Sequence, residues 1–213
     1  MHSISFFLQW LSAPLRVGAI APSSLQLAKV MTAEISAANA PVIELGPGSG
    51  VFTRALIERG IPQTRLALVE HSEAFAGQLT AQFPRARVLC IDATQLEART
   101  AIGGERAGAV VSGLPLLLMP APTVATILER AFECLRPEGA FYQFTYGPRS
   151  PVSRDLLDRL GLVAVRVGMA LGNFPPAFVY RISRRAGTVR RLRARLRNHQ
   201  DLEASTRGGL HSG

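Results

Sequence analysis

The sequence is poor in residues that could cross-link the chain, hold a metal or anchor it within a bilayer. Its two cysteines, Cys90 and Cys134, share no metal-binding or redox spacing and lie in apolar contexts, so both are predicted to be reduced core residues of a cytosolic protein. No apolar run reaches the ~18 residues that a membrane span needs. The first residues lack the basic segment and cleavage site of a signal peptide, which favours a cytoplasmic location. No cluster of His, Cys and Asp has metal-binding spacing, so no metal is expected.

Acidic residues are scarce as well. The chain has 15 of them against 24 lysines and arginines, which gives a formal charge of +9. Such an excess attracts polyanions, either nucleic acid or an anionic lipid surface, and charge alone does not choose between them. With 213 residues, of which 47% are hydrophobic and 18% charged, the chain is not disordered as a whole and is predicted to form one α/β domain with extensions.

Between residues 41 and 184, short β-rich runs alternate with helical stretches, which predicts a sheet covered by helices on both faces. Seven strands are predicted, at 41–45, 65–70, 86–91, 107–112, 139–146, 163–168 and 177–183. Helices are predicted at 51–59, 73–83 and 123–135, whereas 95–106 is polar enough to be mostly loop. The last two strands are separated by 172–176, which leaves no room for a helix, so they are predicted to form an antiparallel pair at the sheet edge.

Two extensions flank this domain of residues 41–184. Residues 1–40 are predicted to form two amphipathic helices: one carries Phe7 and Leu11 on its apolar stripe, and the other begins at a cap formed by Ser23 or Ser24. An arginine-rich run from Arg181 continues into the C-terminal extension, residues 185–213.

The most informative segment is an apolar strand that runs into Gly46-Pro47-Gly48-Ser49-Gly50 and then into a predicted helix. Glycines allow the backbone to turn sharply and to approach a ligand at the positive end of that helix. Position 51 holds valine rather than the small residue of a dinucleotide fingerprint, and no Lys-Ser/Thr pair follows the glycines as in a P-loop. The loop is therefore predicted to bind a nucleotide-like ligand of another kind.

Acidic residues end the next two predicted strands. Glu70 follows Gly50 by 20 positions and could accept both hydroxyls of a ribose, and Asp92 could accept a hydrogen bond from an adenine amino group. Either acid alone is more typical of a helix cap or a solvated turn. Their combination with the glycine loop predicts a nucleoside site at three consecutive strand ends.

Residues 44–50, Glu70 and Asp92 resemble the S-adenosylmethionine site of the Rossmann-like class I methyltransferases, whose sheet also ends in an antiparallel strand pair. The resemblance implies that the glycine loop holds the methionine part of S-adenosylmethionine, Glu70 the ribose and Asp92 the adenine, and that His71 shields the adenosine pocket. The cofactor-binding residues expected from it are Glu44, Gly46, Gly48, Gly50, Glu70, His71, Asp92 and Ser112.

The acceptor is expected at the end of the fourth strand. Family members that methylate nucleobase amino groups carry Asn/Asp-Pro-Pro-aromatic there, or Asn-Leu/Ile-Pro-aromatic in the ribosomal adenine dimethylases. Aligned on Leu114-Pro115, this chain has Gly113 in place of the amide and Leu116 in place of the aromatic residue. The sequence therefore favours an apolar-tailed acceptor over a flat base.

Four segments resemble the bacterial phospholipid N-methyltransferases, at 18–24, 112–116, 143–148 and 175–179. This narrower resemblance implies stepwise methylation of phosphatidylethanolamine toward phosphatidylcholine by a monomeric or weakly associating enzyme. Tyr146 is the candidate for contact with the amine, as a hydrogen-bond acceptor or through cation–π contact with the product. The candidate substrate-binding residues are Ser23, Ser24, Leu114, Pro115 and Arg149.

The extensions fit this lipid interpretation. The first helix could lie in the headgroup region with its apolar face down, and the arginine-rich tail could add attraction to an anionic membrane surface. We therefore expect peripheral association with the cytoplasmic membrane, and neither a specific protein partner nor a nucleic acid. Two alternatives stay open: an RNA adenine N-methyltransferase of the ribosomal dimethylase type, and a non-catalytic member of the fold that binds nucleic acid.

Overall fold

The computed structural model describes residues 22–172, 175–190 and 192–193, with the backbone alone for 22–24. The predicted helix around Phe7 and most of the basic tail lie outside these residues. Seven strands form one sheet in the order β3-β2-β1-β4-β5-β7-β6, and β7 is antiparallel to both of its neighbours. The strands are β1 (Val42–Leu45), β2 (Leu66–Val69), β3 (Arg87–Leu89), β4 (Ala107–Ser112), β5 (Leu135–Tyr146), β6 (Leu162–Ala170) and β7 (Ala177–Arg184). The predicted α/β fold, a Rossmann-like, mostly parallel sheet with an antiparallel last strand, is confirmed.

Helices cover both faces of the sheet. They are α1 (Pro22–Met31), α2 (Val51–Glu58), α3 (Glu73–Gln82), α4 (Ala98–Ile102), α5 (Ala121–Cys134) and α6 (Arg154–Arg159). The first three pack in one apolar cluster on one face, and the last three pack in a second cluster on the other. Among the described residues, no helix is long and apolar enough to cross a membrane.

The central strands β1, β2 and β4 are buried along their whole length because helices cover both of their sides. Their carboxyl ends meet at one edge of the sheet, which we call the carboxyl edge. The chain leaves β1 toward β2 on one side and reaches β4 on the other, so the strand order reverses between β1 and β4. In open α/β sheets, ligands bind at this reversal point.

Strand β5 is longer than its sequence predicts, because it begins at Leu135 rather than Gly139. Arginine side chains hold this extra segment. Arg106 donates to the backbone oxygen of Leu135, and Arg184 donates to that of Arg136. The segment predicted to be mostly loop contains the short helix α4.

Two other predictions are wrong. Cys90 is exposed rather than buried, because it follows β3, which is an edge strand, whereas Cys134 is buried and its pKa is raised to about 11 by that burial. Neither Ser23 nor Ser24 caps its helix, because α1 already begins at Pro22. Proline suits a first helical turn, where its missing N–H would have no intrahelical partner.

Several residues of the arginine-rich run are bound by the body of the protein. Arg181 pairs with Glu34 at 3.1 Å, and Arg185 pairs with Asp158. Arg184 is partly buried, and this burial lowers its pKa. Part of the basic run therefore stabilises the fold.

Candidate active site

The loop between β1 and α2 turns through three glycines with positive φ, Gly46, Gly48 and Gly50, at 65°, 52° and 78°. A Cβ atom on Gly50 would lie 2.6 Å from the ring of Phe83, so this position is closed by packing. At Gly48 a Cβ atom would meet no other atom within 4 Å. Gly48 therefore leaves open space above the backbone, where a ligand can approach.

The loop packs tightly against the segment that follows β4. A Cβ atom on Gly46 would lie 2.8 Å from Cδ2 of Leu114, and one on Gly113 would lie 2.5 Å from the backbone oxygen of Gly46. Real Cβ atoms do not approach this closely. Glycine is therefore required at position 113 while the two turns keep this contact.

Glu44 is fully buried beneath the glycine loop, at the penultimate position of β1. The Thr53 hydroxyl donates a hydrogen bond of 2.7 Å to its Oε2 atom. Burial raises the pKa of Glu44 to about 8, so the carboxyl group is mostly protonated at neutral pH. No described residue forms a hydrogen bond with its Oε1 atom.

Glu70, immediately after β2, joins two turns of the carboxyl edge. Its Oε2 atom accepts the N–H of Gly48 at 3.2 Å, and its Oε1 atom accepts the N–H of Ser72 at 3.0 Å. The carboxylate is partly exposed beside the open space at Gly48. Its position is therefore compatible with both the local turn and a bound diol.

Asp92 caps a short 3₁₀ turn. Its Oδ1 atom accepts hydrogen bonds from the backbone and hydroxyl of Thr94, at 2.8 and 2.6 Å, and these bonds lower its pKa. The charge of His71 lowers that pKa further. His71 follows β2 and Asp92 follows β3, so both lie at the carboxyl ends of neighbouring parallel strands. His71 is exposed, and its backbone oxygen lies 3.8 Å from Sγ of Cys90.

On the other side of β1, two buried polar side chains hold the backbone of Leu114. Oγ of Ser112 accepts its N–H at 3.3 Å, and Nε2 of Gln143 donates to its carbonyl at 2.9 Å. Leu116 donates its N–H to the same carbonyl at 2.9 Å. Both lone pairs of the Leu114 oxygen are thus occupied within the protein.

Strand β5 brings two further polar groups to this side. Gln143 and Thr145 are almost fully buried and, two residues apart on one strand, share a face of the sheet. Within the described part of the chain, neither Oε1 of Gln143 nor Oγ1 of Thr145 has a hydrogen-bond partner.

Tyr146 ends β5 on the opposite face, in a line of aromatic rings. Its ring is 5.7 Å from that of Phe144, which is 5.9 Å from Phe52 in the first turn of α2, both edge to face. The line therefore connects the helix of the glycine loop with the end of β5. Tyr146 is partly buried.

The remaining predicted substrate residues lie on the same edge. Leu114 and Pro115 are partly buried, and Arg149 is exposed three residues after Tyr146. For Ser23 and Ser24 the structure describes only backbone, in the first turn of α1. The described residues contain no group of three or more His, Cys, Asp or Glu side chains that could hold a metal ion.

Residues 42–139 match a protein family described as a methyltransferase domain. An ornithine lipid N-methyltransferase from Singulisphaera acidiphila is 32% identical over 139 residues, which cover 62% of this chain and 71% of that protein. The chain belongs to the class I methyltransferases. S-adenosylmethionine is the methyl donor of this family.

This methyltransferase is also similar to a ribosomal RNA enzyme in sequence and to a porphyrin methyltransferase in fold. A ribosomal RNA small subunit methyltransferase A from Rhodopseudomonas palustris is 33% identical over 121 residues, covering 53% of this chain but only 39% of that enzyme. The structure of magnesium protoporphyrin IX methyltransferase from Synechocystis PCC 6803, solved with S-adenosylhomocysteine, superposes with a TM-score of 0.61 at 15% identity over 85% of this chain and 94% of that one. At that identity the superposition establishes the fold alone.

The site of this methyltransferase fits a nucleoside-bearing cofactor. The open space at Gly48 lies beside the partly exposed Glu70 carboxylate, and Asp92 and His71 follow along the same edge. Sequence reasoning missed Thr53, Gln143 and Thr145. A signal was present for the last two, because they interrupt an otherwise apolar strand.

We expect Glu44→Gln to flatten the pH dependence of stability. In the wild type, burial raises the pKa of the Glu44 carboxyl to about 8 in the folded protein, whereas its pKa in the unfolded chain is 4.5. The Glu44 contribution is therefore complete below pH 4.5 and is lost as the pH rises toward 8. Glutamine does not titrate in either state. Urea unfolding across this pH range would measure the difference, and parallel curves for the two proteins would contradict the assignment.

Proposed function

We propose that this methyltransferase transfers methyl groups from S-adenosylmethionine to the amino nitrogen of a membrane lipid, with phosphatidylethanolamine methylated stepwise toward phosphatidylcholine. The acceptor enters at the carboxyl ends of β4 and β5. We also propose that the protein associates peripherally with the membrane, because the headgroup of a bilayer lipid is accessible from the aqueous side.

The observation that carries this proposal is the packing at positions 113 and 116. A side chain at Gly113 would collide with the backbone of Gly46, so an amide cannot reach a base from this position. Leu116 is 3% exposed and belongs to the core, so no stacking platform is presented there. The segment that follows is apolar and exposed at Leu117 and Leu118, which suits an acceptor with acyl chains.

The relatives support the same choice. The one named for N-methylation of a lipid aligns over 71% of its length, whereas the ribosomal RNA enzyme aligns over 39%. Ornithine lipid is accordingly a second acceptor to test, because it also presents an amine on a lipid.

We assign the cofactor to the half of the edge formed by β1, β2 and β3. Gly46, Gly48 and Gly50 would face its methionine part by backbone, Glu70 would accept from the ribose hydroxyls, and Asp92 from the adenine amino group. His71 would cover the adenosine. Glu44 and Ser112 are completely buried, so they would stabilise the loops of this site rather than lie on its surface.

S-adenosylmethionine supplies an activated methyl group, so the residues of this chain need only bind and orient the amine and exclude water. The lipid ammonium must first give a proton to solvent, because only the neutral amine has a lone pair to direct at the methyl carbon. The ring of Tyr146 would contact the nitrogen and would attract it more strongly as methylation makes it a permanent cation. Arg149, together with Ser23 and Ser24, would bind the lipid phosphate.

The test is methyl transfer by the purified full chain. Labelled S-adenosylmethionine would be offered with detergent-dispersed phosphatidylethanolamine, with ornithine lipid and with small ribosomal subunits, and products would be identified by mass spectrometry. We expect methylated phosphatidylethanolamine and unlabelled RNA. Label in RNA without label in lipid would refute the proposal in favour of an RNA methyltransferase.

Glu70→Ala should weaken S-adenosylmethionine binding by roughly tenfold or more, because hydroxyls that lose a charged acceptor cost ~1.5–3 kcal/mol. Calorimetry would measure the affinity. Glu73→Ala is the matched control, since Glu73 is an exposed acid of the same region in the first turn of α3. Equal affinities for the two variants would mean that Glu70 serves only the local turns.

Tyr146→Ala should lower lipid methylation by about tenfold while leaving S-adenosylmethionine affinity unchanged, because a cation–π contact contributes ~0.5–2 kcal/mol. Tyr146→Phe should keep most activity, since the ring is retained. Steady-state rates with detergent-dispersed lipid would measure both. Full activity of the alanine variant would remove Tyr146 from the acceptor site.

A further inference from the structure

Among the described residues, most of the large apolar side chains that remain exposed lie toward the carboxyl edge of the sheet. Five of them have between 42% and 65% of their surface exposed, and we call them the apolar rim: Leu25, Leu117, Leu118, Met169 and Leu171. Isolated exposed leucines are ordinary, whereas a cluster around the entrance of a site indicates contact with an apolar partner.

The topology brings the rim residues together. Leu117 lies in the 3₁₀ turn Leu116–Leu118, five residues after the end of β4, and Leu171 directly follows β6. Strand β6 runs in the same direction as β4, because β5 is parallel to β4 and two antiparallel pairings separate β6 from β5. Leu25 lies near Leu171, because the residues that follow them are hydrogen-bonded: Oε1 of Gln26 accepts the N–H of Gly172 at 2.7 Å. Three strand spacings separate β4 from β6, so the rim spans about 14 Å across the sheet.

The two halves of the carboxyl edge differ in polarity. Around β2 and β3 it carries the carboxylates of Glu70 and Asp92, where we assign the cofactor. Around β4, β5 and β6 it carries the apolar rim and the exposed Arg149. This second half matches the surface of a bilayer, with apolar groups to enter the headgroup boundary and a cation to meet lipid phosphates.

We propose that the apolar rim docks the methyltransferase on a lipid bilayer that contains anionic lipids, with the carboxyl edge facing the headgroups. The inference rests on the proposed function and names the partner of the same site. It assigns docking to the catalytic domain itself, in addition to the N-terminal segment and basic tail. The acceptor lipid would then reach the ends of β4 and β5 without leaving the membrane.

The rim variant Met169→Ser with Leu171→Ser tests this proposal against a control from the same sheet, and neither residue has a role in the proposed acceptor site. The control is Val163→Ser with Val165→Ser, because these two side chains are 39% and 44% exposed on the other end of β6. Co-sedimentation would use the full chain and vesicles of phosphatidylcholine with phosphatidylglycerol. We expect the rim variant to lose vesicle affinity by about tenfold or more, and the control to keep it.

Three results would overturn the proposal. One is vesicle affinity of the rim variant equal to that of the control. Another is a wild type that is a dimer and a rim variant that is a monomer with unchanged vesicle binding, which would make the rim a contact between copies. A third is a melting temperature that falls much further in the rim variant than in the control, which would show that the rest of the chain covers these side chains.

Methylation of detergent-dispersed phosphatidylethanolamine separates this inference from the proposed function. We expect the rim variant to retain that activity, because a dispersed lipid does not require docking. A wild type that binds vesicles through the rim but methylates no lipid amine would refute the proposed function and leave the docking surface in place.

Discussion

The close approach of two backbone turns, one after β1 and one after β4, is the constraint on which the rest of the structure depends. The backbone oxygen of Gly46 occupies the place that a side chain at position 113 would need, and Leu114 occupies the place that one at position 46 would need. Backbone packing therefore fixes the two loops relative to each other. In the same loop, Gly48 lies between Gly46 and Gly50, both of which are closed by packing, and only the space at Gly48 stays open. The contact between Gly46 and Gly113 thus fixes the loop that carries the open space at Gly48. It also excludes a side chain at position 113 that could recognise a base.

Polar groups buried around this contact are costly to the fold. Oε1 of Glu44, Oε1 of Gln143 and Oγ1 of Thr145 have no partner among the described residues, and each unpaired buried polar atom costs roughly 1–3 kcal/mol. Such a cost is a considerable part of a typical domain stability of ~5–15 kcal/mol. The groups lie at the carboxyl ends of β1 and β5, where the site is. Their unpaired atoms add nothing to the stability of the fold, and all three lie next to the candidate site.

The sequence predicts the elements whose signal is local. Strand β4 is predicted exactly at 107–112, because its apolar run is bounded by polar and glycine-containing segments. Strand β5 is predicted four residues too short, because distant arginines hold its first carbonyls. The exposure of Cys90 depends on β3 being an edge strand, which strand order alone decides. Likewise, the glycine loop and Glu70 can be found from spacing, whereas the contact between Gly46 and Gly113 joins residues 67 positions apart and needs the folded sheet.

The positive charge of the chain is less informative about its substrate than the polarity of the carboxyl edge. Arg181 and Arg185 form ion pairs with Glu34 and Asp158, and Arg184 donates to backbone carbonyls, so part of the basic excess is bound within the fold. The carboxylates of Glu34 and Asp158 offset the charges of Arg181 and Arg185, so these two arginines add less to the attraction of a polyanion. At the half of the edge formed by β4, β5 and β6, by contrast, the large exposed apolar side chains of the described residues are leucine and methionine. Aliphatic side chains gain free energy by leaving water for a lipid interface, and they offer no plane on which a nucleobase could stack. The composition of the edge therefore favours a lipid acceptor even though the net charge of +9 alone is equally compatible with RNA.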